Sequence, residues 1–262
     1  MNILIITYAL NGLLMVAMPL GLAIFLTRRW KMGWGVWLIG AAAFLLSQVG
    51  HIPFNLAMGS LLDQTGLAQW PHTAQVIFNA VFLGLSAGVF EEVARYLVLR
   101  FWAKKARSWR EGVLFGAGHG GAEALILGLI VLVNYAAMLI MRSLDLSALV
   151  PPEQLGLAQE QIAAYWSAPW PLTLLGAVER AFALACQIFM ATLVMQVFLR
   201  GNLLWLFAAI GFHALIDASA VLALQYVGPY GTEGVIAVFA LISVLLTLAL
   251  RRPEPPPDPS AG

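Results

Sequence analysis

The stretch Phe90-Glu91-Glu92-Val93-Ala94-Arg95 sets three charged side chains inside an otherwise apolar run that extends from residue 72 to residue 101. A run of that length reads as a membrane-spanning helix, which needs about 20 predominantly apolar residues. Ionisable groups in hydrocarbon are costly, face the interior of a bundle and pair with one another. The three charges therefore call for polar partners on other segments, and the fold follows from where those segments lie.

The composition agrees with a membrane setting. Of 262 residues 61% are hydrophobic and 10% charged, and the mean hydropathy is +0.86. A soluble domain carries about 25% charged residues, so the class is a polytopic all-α membrane protein. A net charge of +1, with no basic run beyond those flanking apolar segments, argues against nucleic acid as a partner. Cys186 is the single cysteine, which excludes an internal disulfide and a cysteine metal site and predicts a packing role. The first apolar stretch has no basic leader and no small-residue cleavage site, so it is expected to be a retained helix.

Seven spans are predicted, near 3–27, 34–58, 72–101, 110–141, 170–199, 202–225 and 231–250, within a single transmembrane domain over 1–252. Positive-inside counting orients them. One end of the bundle carries Arg28, Arg29, Lys31, Arg100, Lys104, Lys105, Arg107, Arg110, Arg200, Arg251 and Arg252, the other only Arg142. The N-terminus is accordingly expected outside and the C-terminus in the cytoplasm. Residues 143–169 form one long outer loop, in which Pro151-Pro152-Glu153 resembles a helix start. Leu155, Leu157, Ile162, Tyr165 and Trp166 are then expected at the membrane interface, as a surface helix or a lid. Residues 253–262 are proline-rich and predicted to be disordered.

Helical rise converts position into depth. Glu91 lies about 13 Å from Arg100, His119 about 13 Å from Arg110, and His213 about 16 Å from Asn202, each measured from the cation-rich end. Glu123 and Asp217 lie slightly deeper. Three spans thus bring ionisable side chains to one level. Spacing sharpens the layer, because His119 and Glu123, His213 and Asp217, and Glu91 and Arg95 are i, i+4 pairs that share helix faces, while Glu92 and Arg95 are i, i+3. Arg95 is expected to hold one carboxylate and leave the other poised as general base or acid. Gly84 and Gly88, and Gly112, Gly116 and Gly120, have the small-residue spacing that lets helix backbones approach closely. Ser47, His51 and Asn55, with Gln48, form a polar stripe on the second span; Gln48 and His51 are candidates for a cavity wall or for structural hydrogen bonding. Glu179 and Arg180 on the fifth span make an internal pair, or Arg180 neutralises Glu123 or Asp217. His72, beside Pro71, reads as an ordinary interfacial residue at a helix start.

These residues, as Glu91-Glu92-x-x-Arg95, Phe115-x-x-x-His119 within Gly116-x-Gly118-His119-Gly120-Gly121-x-Glu123, and His213-x-x-x-Asp217, resemble the YhfC family of membrane peptidases. That family is related to the CAAX-prenyl-protease and bacteriocin-processing (CPBP) intramembrane proteases and to the PrsW proteases. The resemblance implies an integral protein of a bacterial cytoplasmic membrane that cleaves a membrane-embedded or membrane-anchored peptide. By the same resemblance Glu91 or Glu92 activates water, His119 binds or orients it, His213 and Asp217 stabilise the oxyanion, and Arg95 holds the carboxylates. Two residues separate the glutamate pair from the arginine here, where the CAAX-protease pattern has three, so the corresponding glutamate is open. Asp217, standing where that pattern has Asn, either donates when protonated or orients His213.

No cofactor is required by this chemistry. Zinc is the alternative, with Glu92, His119, Glu123 and His213 as its ligands, although no His-Glu-x-x-His arrangement occurs. Two readings from other classes stand beside the peptidase: a proton-coupled transporter, since buried acids and histidines also relay protons, and a non-catalytic membrane scaffold.

Overall fold

The computed structural model describes residues 3–148 and 150–251; the proline-rich tail lies outside the described residues. Seven helices follow in order: α1 Ile3–Trp30, α2 Gly35–Gln64, α3 His72–Phe101, α4 Trp109–Met141, α5 Pro152–Ser167, α6 Leu175–Arg200 and α7 Leu204–Ala249. Six of them are long and apolar enough to cross a membrane, and α5 is the exception. The chain is an integral membrane protein, and no strand occurs among its described residues.

Helix α7 accounts for the two predicted spans at 202–225 and 231–250. Its 46 residues would extend about 70 Å if straight, more than twice the hydrocarbon thickness. Instead the Phe212 and Phe239 rings lie 5.9 Å apart, and Ile216 and Ala240 share one buried cluster. Residues so distant in sequence meet only if the chain turns back on itself. The turn is at Gly228, whose φ of +72° belongs to the left-handed region that glycine adopts without strain, followed by Pro229, which donates no backbone hydrogen bond. The chain therefore makes seven passes.

Close helix contacts set the depth register. A methyl group on Gly88 of α3 would sit 2.7 Å from the Ile210 carbonyl oxygen of α7, and one on Gly116 of α4 would sit 2.7 Å from Ile188 Cα of α6. A side chain on Gly118 would collide with the Trp37 backbone of α2. Small residues thus draw α3 against α7 and α4 against both α2 and α6, with little lateral play.

The start of α6 is tied to α1 by the Asn11 side chain, which accepts from the Ala177 amide at 2.7 Å, and by Thr173 donating to the Thr7 hydroxyl at 2.7 Å. Helix α5 begins at the predicted prolines and has no buried residue. Tyr165 stacks on Tyr8 with centroids 4.0 Å apart, and Trp166 lies edge-on to the same ring and under the Arg142 guanidinium. These contacts anchor α5 to α1 and to the end of α4 as a surface helix. His72 opens α3 directly after Pro71.

Candidate active site

The ionisable side chains of α3, α4 and α7 meet inside the bundle as the depth count anticipates, joined by a set from α6. Arg95 is fully buried at the centre. Its Nη1 donates to both oxygens of Glu92, at 2.8 and 3.1 Å, and its Nη2 donates to Glu91 at 3.5 Å and to Gln187. His119 Nε2 lies 3.0 Å from Glu91 Oε2, and Gln48 donates to the other Glu91 oxygen at 3.3 Å. His213 Nδ1 lies 2.8 Å from Glu92 Oε1, while its Nε2 lies 3.5 Å from Asp217.

A second strand of the network runs along α6. Gln187, which accepts from Arg95, donates to Glu123 at 2.9 Å. Glu123 also accepts from Arg180 at 2.6 Å, and Arg180 donates to Glu179 as well. Arg180 therefore serves both Glu179 and Glu123, whereas Asp217 pairs with His213. Gln187 was not anticipated from the sequence. Its signal was present: it lies seven residues after Arg180, two helical turns along one face, as an amide in an apolar span.

The two glutamates differ sharply. Glu91 lines a cavity of about 110 Å³ together with Glu123, Arg180, His213 and Asp217, and Cys186 and Met190 line it as well. Glu92 and His119 are fully buried and do not line it. Cys186 packs, as expected, in a buried cluster with Met190, Ile216 and Ala240, and it also lines the cavity.

The outer part of the α2 stripe lies elsewhere. His51 Nε2 lies 3.1 Å from the Ser86 hydroxyl and 2.9 Å from Asn55 Nδ2, and its ring stacks on Phe90 at 5.5 Å. Neither His51 nor Gln48 lines the cavity, and of the two readings of the stripe it is hydrogen bonding that describes their place. One helical turn separates them on α2, and that turn is enough to take His51 into the α2–α3 interface and leave only Gln48 within reach of Glu91.

Of the residues suggested as zinc ligands, only Glu92 and His213 pair with each other, at 2.8 Å. Glu92 is locked to Arg95 and His213, His119 faces Glu91, and Glu123 is committed to Arg180 and Gln187. Among the described residues no three His, Cys, Asp or Glu side chains are grouped as ligands of one ion. Imidazoles and carboxylates are suitable zinc donors by type, but in this arrangement the positive charge between the carboxylates is the guanidinium of Arg95. The residues as placed do not fit a metal centre.

Residues 14–240 match the family model described as YhfC intramembrane metalloprotease. The chain belongs to the YhfC family. A YhfC relative from Bacillus subtilis (strain 168), described as an uncharacterized membrane protein, is 31% identical over 265 residues, covering 95% of this chain and 96% of its own length. No solved structure matches. The buried layer and its cavity thus lie in a YhfC-family chain, within the matched region.

Proposed function

We propose that this chain is an intramembrane endopeptidase in which Glu91 is the general base and Glu92 is the anchor of Arg95 and His213. The observation that carries the reading is the split between adjacent carboxylates. Glu91 reaches the cavity with His119 and Gln48 holding it from behind; Glu92 is shut away with both oxygens bonded to Arg95. The YhfC family's description as intramembrane metalloproteases supports the reaction class, peptide hydrolysis within the membrane, and the glutamate chemistry proposed here follows the resemblance of the motifs to the CPBP proteases.

The cavity is polar and large enough for water and one peptide group. Glu91 removes a proton from water, and the hydroxide forms a bond to the scissile carbonyl carbon. The carbonyl electrons move to oxygen, where a His213 N–H stabilises the charge. The Glu91 proton then passes to the leaving nitrogen, the C–N bond breaks, and a carboxylic acid and an amine result. General base catalysis of this kind supplies about 10²–10⁴-fold, and one oxyanion donor about 10²–10³-fold. Glu92 on Nδ1 fixes the His213 ring, and Asp217 on Nε2 orients it between turnovers. Gln187 of α6 accepts from Arg95 and is itself held by Glu123 of α4, which Arg180 of α6 also binds. By the positive-inside count, this layer lies in the cytoplasmic half of the bilayer.

The test is hydrolysis of a panel of membrane-spanning peptides in proteoliposomes, read by mass spectrometry of the fragments. Cleavage by the natural chain and its loss in Glu91→Gln and His119→Ala is the expected result. Full hydrolysis in both variants sinks the proposal.

A further inference from the structure

A groove of about 440 Å³ opens between the start of α6 and the two halves of α7. Its walls are apolar, with Leu172, Leu175, Val221 and Leu224 among them, and Pro229 of the Gly228 turn stands at one end. Glu179, Ala220 and Ile236 line both this groove and the candidate catalytic cavity, so the two adjoin. The groove lies against the cavity that Glu91 lines.

Its charge is one-sided. Two carboxylates, Glu179 and Glu233, stand in the apolar wall, and no cation lines the groove itself. Glu179 reaches back to Arg180, which Glu123 already shares. Glu233 Oε2 is buried without any hydrogen-bond partner. A buried carboxylate oxygen with no donor is costly unless something else supplies one. The fold brings Glu233 there deliberately in the geometric sense, since the reversal at Gly228 turns this first part of the returning helix toward α6.

Resting on the peptidase reading, we infer that the groove receives an extended segment of the substrate peptide carrying a lysine side chain or another cationic group, whose ammonium docks on Glu233 and Glu179. Apolar walls accept the neighbouring side chains of a membrane-derived peptide. Its place against the cavity brings a peptide bond of that segment toward Glu91. The two acids then select for a positive charge beside the cleaved bond, a preference for which the catalytic layer alone has no need.

The test measures binding, so that it stands apart from cleavage. The Glu91→Gln chain is placed in phosphatidylglycerol nanodiscs, free of lipid amines, and titrated with fluorescent apolar peptides bearing lysine, norleucine or glutamate at each of several successive positions. In the best register lysine should bind at least about tenfold tighter than norleucine, the scale of one charge-assisted hydrogen bond, and glutamate weakest. Glu233→Gln should bring the lysine-to-norleucine ratio to about one, Glu233→Lys should favour the glutamate peptide, and Leu224→Trp should block all three. Lysine and norleucine binding within twofold of each other, or a ratio that survives Glu233→Gln, overturns the inference. Fragments appearing in the same Glu91→Gln sample would instead remove Glu91 as the general base, an outcome separate from the binding result.

Discussion

On either side of Arg95 stand two carboxylates of identical chemistry, one residue apart, in unlike surroundings. Successive helix positions differ by about 100° in direction, so α3 aims Glu92 at His213 of α7 and Glu91 at His119 of α4. Glu92 meets only donors that hold it, and both its oxygens are taken. Glu91 meets Gln48, His119 and, at 3.5 Å, Arg95, and it also lines a cavity. The lesson is that a buried charged cluster divides into a part that stabilises and a part that remains free to exchange a proton, and geometry decides which is which.

The strongest way to break this comparison is to neutralise each carboxylate in turn. Glu91→Gln is expected to lower hydrolysis by about 10³-fold, within the range of general base catalysis, with thermal unfolding close to that of the natural chain. Glu92→Gln should act mainly on stability. It leaves a fully buried arginine short of its closest anionic partner, and breaking a buried pair costs about 3–5 kcal/mol. Scanning fluorimetry in detergent should show a marked fall in the unfolding temperature, together with poor yield. If Glu91→Gln unfolds easily while Glu92→Gln stays folded but inactive, the roles are reversed.

A smaller effect is expected where the comparison is sharpened without touching a charge. Gly88→Ala brings a methyl against the Ile210 carbonyl, and α3 must move away from α7. That movement draws Glu92 from His213 while leaving the α3–α4 pairing of Glu91 and His119 in place. A displacement of about 1 Å can cost about 10²-fold in rate. The loss should appear in kcat rather than KM, measured with the same peptide panel. A rate within twofold of the natural chain would mean that the His213 side contributes little.

Much of this architecture is legible in the sequence because each rule involved is one-dimensional. Span length, the Pro151-Pro152 helix start and the break at Gly228-Pro229 depend on local residues, and the common level of Glu91, His119 and His213 depends only on counting from the ends. Membership of the YhfC family follows from motifs that are also local. What is not legible is azimuth. Counting does not say that Glu91 faces a cavity while Glu92 does not, nor that His51 turns into the α2–α3 interface. Gln187 escapes notice because a single amide costs far less in an apolar span than a charge does, and only its partners Arg95 and Glu123 reveal its place. The grouping of zinc ligands also needed three dimensions, since four donors at one depth still divide among Arg95, Arg180 and one another.

The smallest expected effect concerns the cation itself. The family description names metalloproteases, whereas here Arg95 supplies the positive charge between the glutamates. A divalent ion bridging Glu91 and Glu92 would compete directly with that guanidinium, and a zinc site would need to gather a third or fourth donor by breaking pairs such as His213–Glu92. Each rearrangement exposes a buried charge or leaves one unpaired. Prolonged dialysis against a strong chelator should therefore change the hydrolysis rate by less than about twofold, on a scale where a bound catalytic metal lowers the barrier by several kcal/mol. Elemental analysis of the purified chain should find well under one metal per molecule. Activity lost on dialysis and restored by zinc alone would show that the paired arrangement opens to bind an ion, and Arg95 would then be the group displaced from between the carboxylates.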